Sequence, residues 1–315
     1  MTKRMSVAGA LLVLLLGTVP APAQNAPFEL RDGDRVAFIG NTFFEREQAH
    51  SYLETLLATR WPDRNVTFRN LAWSGDTVFG HARAGFETHE QGFERLLKVA
   101  RQAKPTVLFI SYGMSESFEG EKGLTPFRQG LDKLLDKLGE LKPRETVLVS
   151  PVRHEDLGRP FPDPARHNKD LRRYIDVIKD AAAKRGYRFV DLYELMGDGD
   201  KSRRLTDNGI HLTPYGYWRA ALAVEKGLGL PQRDLKWNPD GKVSPEPAEK
   251  FRRLAIAKNV QFFNQWRPQN ETYIFGFRRN EQGQNAREMP MFDKPIAELE
   301  AQMAKVRAGF TATGR

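Results

Sequence analysis

The sequence predicts a three-layer αβα sandwich on a mostly parallel, five-stranded sheet, with a helical appendage at its C-terminal end. Three observations lead there. Five short apolar runs, rich in Val, Ile, Leu and Phe, have the length of buried strands. Segments with apolar residues at helical spacing separate them, which implies parallel strands joined by right-handed crossovers. Beyond residue 231 the alternation stops and a more polar region follows.

The first strand is 35–39, an apolar run ending in Gly40. Residues 44–60 read as a helix with Tyr52, Leu53, Leu56 and Leu57 on one face. The second strand, 66–70, opens into Leu71-Ala72-Trp73-Ser74-Gly75, and the helix 91–103 buries Phe93, Leu96, Leu97 and Ala100. The third strand, 106–111, opens into Tyr112-Gly113-Met114-Ser115-Glu116. A helix over 127–141 turns Leu131, Leu134, Leu135 and Leu138 inward, and the fourth strand, 146–150, stops at Pro151. The helix 163–184 ends at Gly186, suited to the left-handed residue that closes a helix. A short fifth strand covers 189–192. Thr213-Pro214 then reads as cap and first residue of a helix over 215–228. In the last region 239–247 is a turn-rich linker, 248–266 an amphipathic helix, 272–277 strand-like and 294–307 a final helix.

With a flavodoxin-like strand order, the ligand crevice lies beyond the carboxyl ends of strands one and three. The loops starting at Gly40 and Tyr112 are therefore the places for chemistry. The main domain is expected over 24–231, and 232–315 as an extension packed on it. Residues 1–23 have the form of a signal peptide. Lys3 and Arg4 are followed by the apolar run 8–17 and the Ala21-Pro22-Ala23 cleavage site. The mature chain is expected to begin near Gln24 and to be exported, to the periplasm or the extracellular space. The run is too short for a membrane span.

The chain has no cysteine, which excludes disulfides, thiolate catalysis and cysteine-based zinc sites. The formal charge is +9, spread along the chain among acids and without a nucleic-acid-binding motif. It reads as a solvated surface, and no nucleic-acid partner is expected. His50, His81, His89, His154 and His167 show no ligand spacing, so neither a metal nor a cofactor is expected.

The tract 205–217 places His211 on a short loop before a helix N-terminus, with Asp207 and Asn208 just upstream. A base oriented in this way is half of a hydrolytic site. The other half must come from the strand-end loops: Gly40-Asn41-Thr42, Asn70-Leu71-Ala72-Trp73-Ser74-Gly75-Asp76-Thr77, and Gly113-Met114-Ser115-Glu116. The order and context of these four blocks, over about 34–230, resemble the SGNH/GDSL hydrolase superfamily. The resemblance implies acyl transfer from an ester through an acyl-enzyme. Thr42 stands at the nucleophile position and His211 is the base, with Asp207 as the nearest acid to orient it. The Ala72 N–H and Ser115 would hold the oxyanion, and Asn41, Trp73, Tyr112 and Asn208 would contact substrate. A carbohydrate or small-molecule ester is the substrate class implied.

The match departs from the family pattern at nearly every block. Thr42 replaces serine, Ala72 replaces glycine, Ser115 replaces asparagine, and Asn208 stands where the orienting acid belongs. The residues therefore leave alternatives open. Thr42 and Ser115 can each cap a helix, and Trp73 and Tyr112 can pack in the interior. Ser74 fits a structural turn, and Glu116 a solvated acid. A silent fold that binds a glycan or a protein through the same crevice is the alternative to an esterase.

Overall fold

The computed structural model describes residues 26–198, 202–281 and 285–312, and the expected signal segment 1–23 lies outside them. In chain order the elements are β1 (Arg35–Gly40), α1 (Thr42–Glu47), α2 (Tyr52–Arg60), β2 (Thr67–Asn70), α3 (His89–Ala103) and β3 (Val107–Ser111). They continue with α4 (Leu124–Gly139), β4 (Glu145–Val149), α5 (Ala165–Arg185), β5 (Arg188–Val190), α6 (Leu192–Met196) and α7 (Pro214–Gly227). The C-terminal extension carries the two-residue strands β6 (Lys236–Trp237) and β7 (Val243–Ser244), then α8 (Glu246–Trp266), α9 (Glu271–Ile274) and α10 (Asp293–Ala308).

The sheet is parallel throughout, in the order β2-β1-β3-β4-β5. Because strand side chains alternate between faces, Val36, Phe38, Val107 and Phe109 point into one apolar layer, under α2, α7 and α8. Ala37, Ile39, Leu108 and Ile110 point into the other, under α3, α4 and α5. Burial on both faces explains the continuous apolar runs of the strands. The strand order reverses between β1 and β3, whose carboxyl ends share one crevice.

Two expected elements differ. The helix expected over 44–60 is broken in two, with Ser51 in the left-handed region at φ 50°. The Glu47 carboxylate turns back to accept the N–H of Leu53 at 2.5 Å, which caps α2 in place of the Ser51 side chain. The strand-like run 272–277 is instead the single helical turn α9. Among the described residues no strand pairs with it, and its backbone bonds are made locally. Among the described residues, no helix is long and apolar enough to cross a membrane.

Candidate active site

At the end of β1 the chain must pass close under β3. A Cβ on Gly40 would sit 2.3 Å from the Ser111 carbonyl oxygen, so only glycine fits. Buried Asn41 caps α1, its Oδ1 accepting the N–H of Phe43 at 3.3 Å. Thr42 is the first helical residue, and its amide has no intrahelical acceptor. Its hydroxyl accepts the N–H of Gly75 at 3.1 Å, which ties the first block to the second. The cap is thus Asn41, and the Thr42 side chain is left for the crevice.

The second block is held from within. The Asn70 amide donates to the Phe44 carbonyl at 2.5 Å and its oxygen accepts the Ala72 N–H at 3.1 Å. This corrects the role expected of Ala72: its amide is spent on Asn70, and the residue is 1% exposed. Trp73 and Tyr112 are also corrected. Trp73 carries the Arg267 guanidinium 3.6 Å from its ring centroid and faces a separate groove of about 970 Å³. Tyr112 is fully buried and donates to Asp76 at 3.3 Å. Neither reaches the crevice.

In the third block Ser115 makes no capping bond and remains half-buried at the crevice. Glu116, expected in solvent, is buried and accepts the N–H groups of Val78 and Gly113, each at 2.9 Å. Burial pushes its carboxyl up to about 7. It braces the second and third loops against each other.

The His211 loop is a tight turn closed by the backbone bond from Asp207 N–H to the His211 carbonyl at 2.8 Å. Thr213 caps α7 through the Gly216 N–H at 3.1 Å, as the sequence indicates. Asn208 Oδ1 accepts the N–H groups of Ile210 at 3.3 Å and His211 at 3.0 Å. Its amide nitrogen lies 3.1 Å from His211 Nδ1. Asn208 is therefore the ring's partner, and its substrate role is corrected to that. The Asp207 carboxylate sits instead 3.5 Å from the Arg46 guanidinium, which corrects its expected role as the orienting acid. His211 is held below the ordinary histidine value by burial and then by Arg46, with Asp207 opposing. That shift favours the neutral ring.

The decisive geometry is a single cavity of about 250 Å³ lined by Thr42, Ser115 and His211 together with Asn41. Phe43, Met114, Phe118, Val152 and Leu212 make most of its remaining wall apolar. The Thr42 hydroxyl, the Ser115 hydroxyl and the His211 imidazole thus belong to residues that line one cavity. Among the described residues no group of three or more histidine, aspartate or glutamate side chains is placed to hold a metal ion.

Sequence reasoning missed Glu155. Its carboxylate accepts the N–H groups of Leu205 at 2.9 Å and Thr206 at 2.7 Å, and so carries the His211 loop. It lies some fifty residues upstream, and no spacing signals the contact.

Residues 33–219 match the GDSL-like Lipase/Acylhydrolase family. A search of curated proteins finds no match. Among solved structures, the chain is similar to an acetylxylan esterase from Geobacillus stearothermophilus, at 18% identity over 65% of this chain and 100% of that one, with a TM-score of 0.52. It is also similar to a gut microbial diltiazem-metabolizing enzyme, at 13% identity over 89% of this chain and 96% of that one, with a TM-score of 0.61. At such identities the likeness is one of fold.

Proposed function

This chain belongs to the GDSL-like lipase/acylhydrolase family, hydrolases acting on ester bonds, and from that premise we propose that it removes short acyl groups from a carbohydrate or small molecule with Thr42 as nucleophile. The observation that carries the reading is the one cavity shared by Thr42, Ser115 and His211. Its small apolar volume suits a short acyl chain and excludes a fatty one. The fold's likeness to an acetylxylan esterase supports a carbohydrate ester.

The Thr42 hydroxyl oxygen attacks the ester carbonyl and gives its proton to His211. The Gly75 N–H donates to that oxygen at 3.1 Å and fixes its position. The Thr42 amide and the Ser115 hydroxyl hold the carbonyl oxygen as it becomes an oxyanion. Collapse releases the alcohol, protonated by His211, and water then hydrolyses the acyl-threonine by the same steps in reverse. The β-methyl of Thr42 stiffens its χ1 and crowds the approach, so turnover is slow.

The test is hydrolysis of short-chain aryl esters by the wild type, Thr42→Ala, Thr42→Ser and His211→Ala. The two alanine variants abolish turnover, and Thr42→Ser keeps or raises it. The acid limb of kcat/KM has its midpoint below 6.5, because the base is the depressed His211. Turnover untouched by Thr42→Ala removes that residue from the mechanism. A wild type with no turnover that still binds oligosaccharide belongs with silent folds.

Export is part of the proposal, supported by Lys3, Arg4, the apolar run 8–17 and Ala21-Pro22-Ala23. Expression of the full chain in a bacterial host, followed by mass determination, reads a mature N-terminus near Gln24. An intact N-terminus in the cytoplasmic fraction refutes it.

A further inference from the structure

The C-terminal extension reaches the loops that hold Thr42 through Arg267. Arg267 follows directly on α8 and folds back over the second-block loop. Its guanidinium lies 3.6 Å from the Trp73 ring centroid, and the edge of Trp266 meets the same ring at 5.9 Å between centroids. The buried Arg83 guanidinium also lies over that ring, at 5.6 Å. Arg267 Nη1 pairs with Glu45 Oε1 at 3.1 Å, the two side chains being 21% and 16% exposed. A pair this shielded is screened far less than a surface ion pair.

Glu45 sits on α1, within one turn of Thr42. Its second carboxylate oxygen accepts the N–H of Ser74. The next residue, Gly75, donates to the Thr42 hydroxyl at 3.1 Å. Arg267 thus grips both partners of that last bond, α1 through Glu45 and the loop through Trp73. Only a planar guanidinium can stack on an indole and pair with a carboxylate at once. From this linkage we infer that Arg267 is a positioning residue for Thr42, so that the extension is part of the catalytic apparatus. The inference rests on the hydrolase reading above. Neither Arg267 nor Trp73 lines the Thr42 cavity, so substrate binding does not depend on them.

The experiment measures kcat and KM on a short aryl ester for the full-length mature protein, Arg267→Ala, Arg267→Lys, Glu45→Gln and Thr42→Ala. A nucleophile displaced by ~1 Å loses roughly 100-fold in rate. Arg267→Ala accordingly lowers kcat by roughly 10- to 100-fold with KM within about twofold. Millimolar guanidinium ion restores kcat in a saturable manner, whereas a merely destabilised protein is weakened further by it. Arg267→Lys stays closer to the alanine variant than to the wild type. Glu45→Gln, nearly isosteric, shows the same loss without guanidinium rescue, and it serves if the alanine variant fails to fold. Abolition by Thr42→Ala together with full kcat in Arg267→Ala or Glu45→Gln overturns the inference and leaves the hydrolase intact. A loss in Arg267→Ala that guanidinium does not reverse also overturns it. Activity retained in Thr42→Ala overturns both.

Discussion

Asn208 sets the chemistry of His211 more than any other single side chain. Its oxygen is fixed by two backbone N–H groups, so its NH₂ must face the ring. The neutral imidazole then accepts at Nδ1 and carries its proton on Nε2. A general base needs the reverse. In the serine-protease template, holding the wrong tautomer costs ~10,000-fold in rate. Turnover here requires the Asn208 amide to release Nδ1, so the resting site is poised against itself. Asp207 does not correct this, because its carboxylate is drawn to Arg46. Asn208→Asp keeps one oxygen on the two backbone donors and offers the other to Nδ1–H. Its charge also raises the His211 pKa. For short aryl esters we expect kcat to rise by on the order of 10- to 1000-fold, with the acid limb of the pH–rate profile moving to higher pH. A pH–rate series on the two proteins checks this. An unchanged kcat with an unchanged acid limb would sink the tautomer argument.

At the scale of elements, legibility followed the range of the forces involved. The five strands, the helices between them and the Thr213 cap were readable because apolar periodicity and capping act within a few residues. The crevice at β1 and β3 followed from topology alone. The break between α1 and α2 was not readable, since Glu47 makes it by reaching six residues along the chain. Nor was the bracing of the His211 loop. The loop is held by Glu155 and by a partly buried chain running from Ser117 through His167 to His154. Ser117 Oγ lies 2.8 Å from His167 Nε2, and His167 Nδ1 lies 2.9 Å from His154 Nδ1. The chain has the layout of a second nucleophile relay. Yet Ser117 is 1% exposed, and its hydroxyl donates to the Met114 carbonyl at 2.8 Å. His167 must therefore give its Nε2 proton to Ser117 and accept at Nδ1 from His154, which makes the chain a structural tie. It ends against Gly209, where φ is 97° and a Cβ would lie 2.6 Å from His154 Nε2. Glycine there lets the loop carrying His211 close onto the β4–α5 connection. The expected solvation of Glu116 failed for a related reason. An acid in a strand-end loop looks solvated in sequence, but its carboxylate oxygens accept amides from two separate loops.

At the scale of the molecule, the extension is fastened by a polar contact in a dry place. Lys258 on α8 is 1% exposed, and its ammonium meets Glu54 at 2.8 Å and the Phe68 carbonyl at 3.1 Å. Asn259 completes the cluster, donating to Glu54 and to Ser51 Oγ, each at 3.0 Å. Phe251 and Ala255, buried on the same helix, join the apolar layer over the sheet. The middle of α8 is thus locked to α2 and β2, while Arg267, just past its C-terminal end, meets Glu45 and Trp73. Burial lowers the Lys258 pKa against the pull of Glu54, so desolvation is the larger influence on it. Such a pair adds little net stability compared with an apolar pair, but removing one partner strands the other charge. Lys258→Met should therefore cost about 3–5 kcal/mol, read as a fall in the urea midpoint with the slope unchanged. Lys258→Met combined with Glu54→Leu should recover most of that loss, because no buried charge is then left alone. If the double variant is instead as unstable as the sum of its single changes, the two charges are not coupled, and the stranded-charge account of the cluster is overturned.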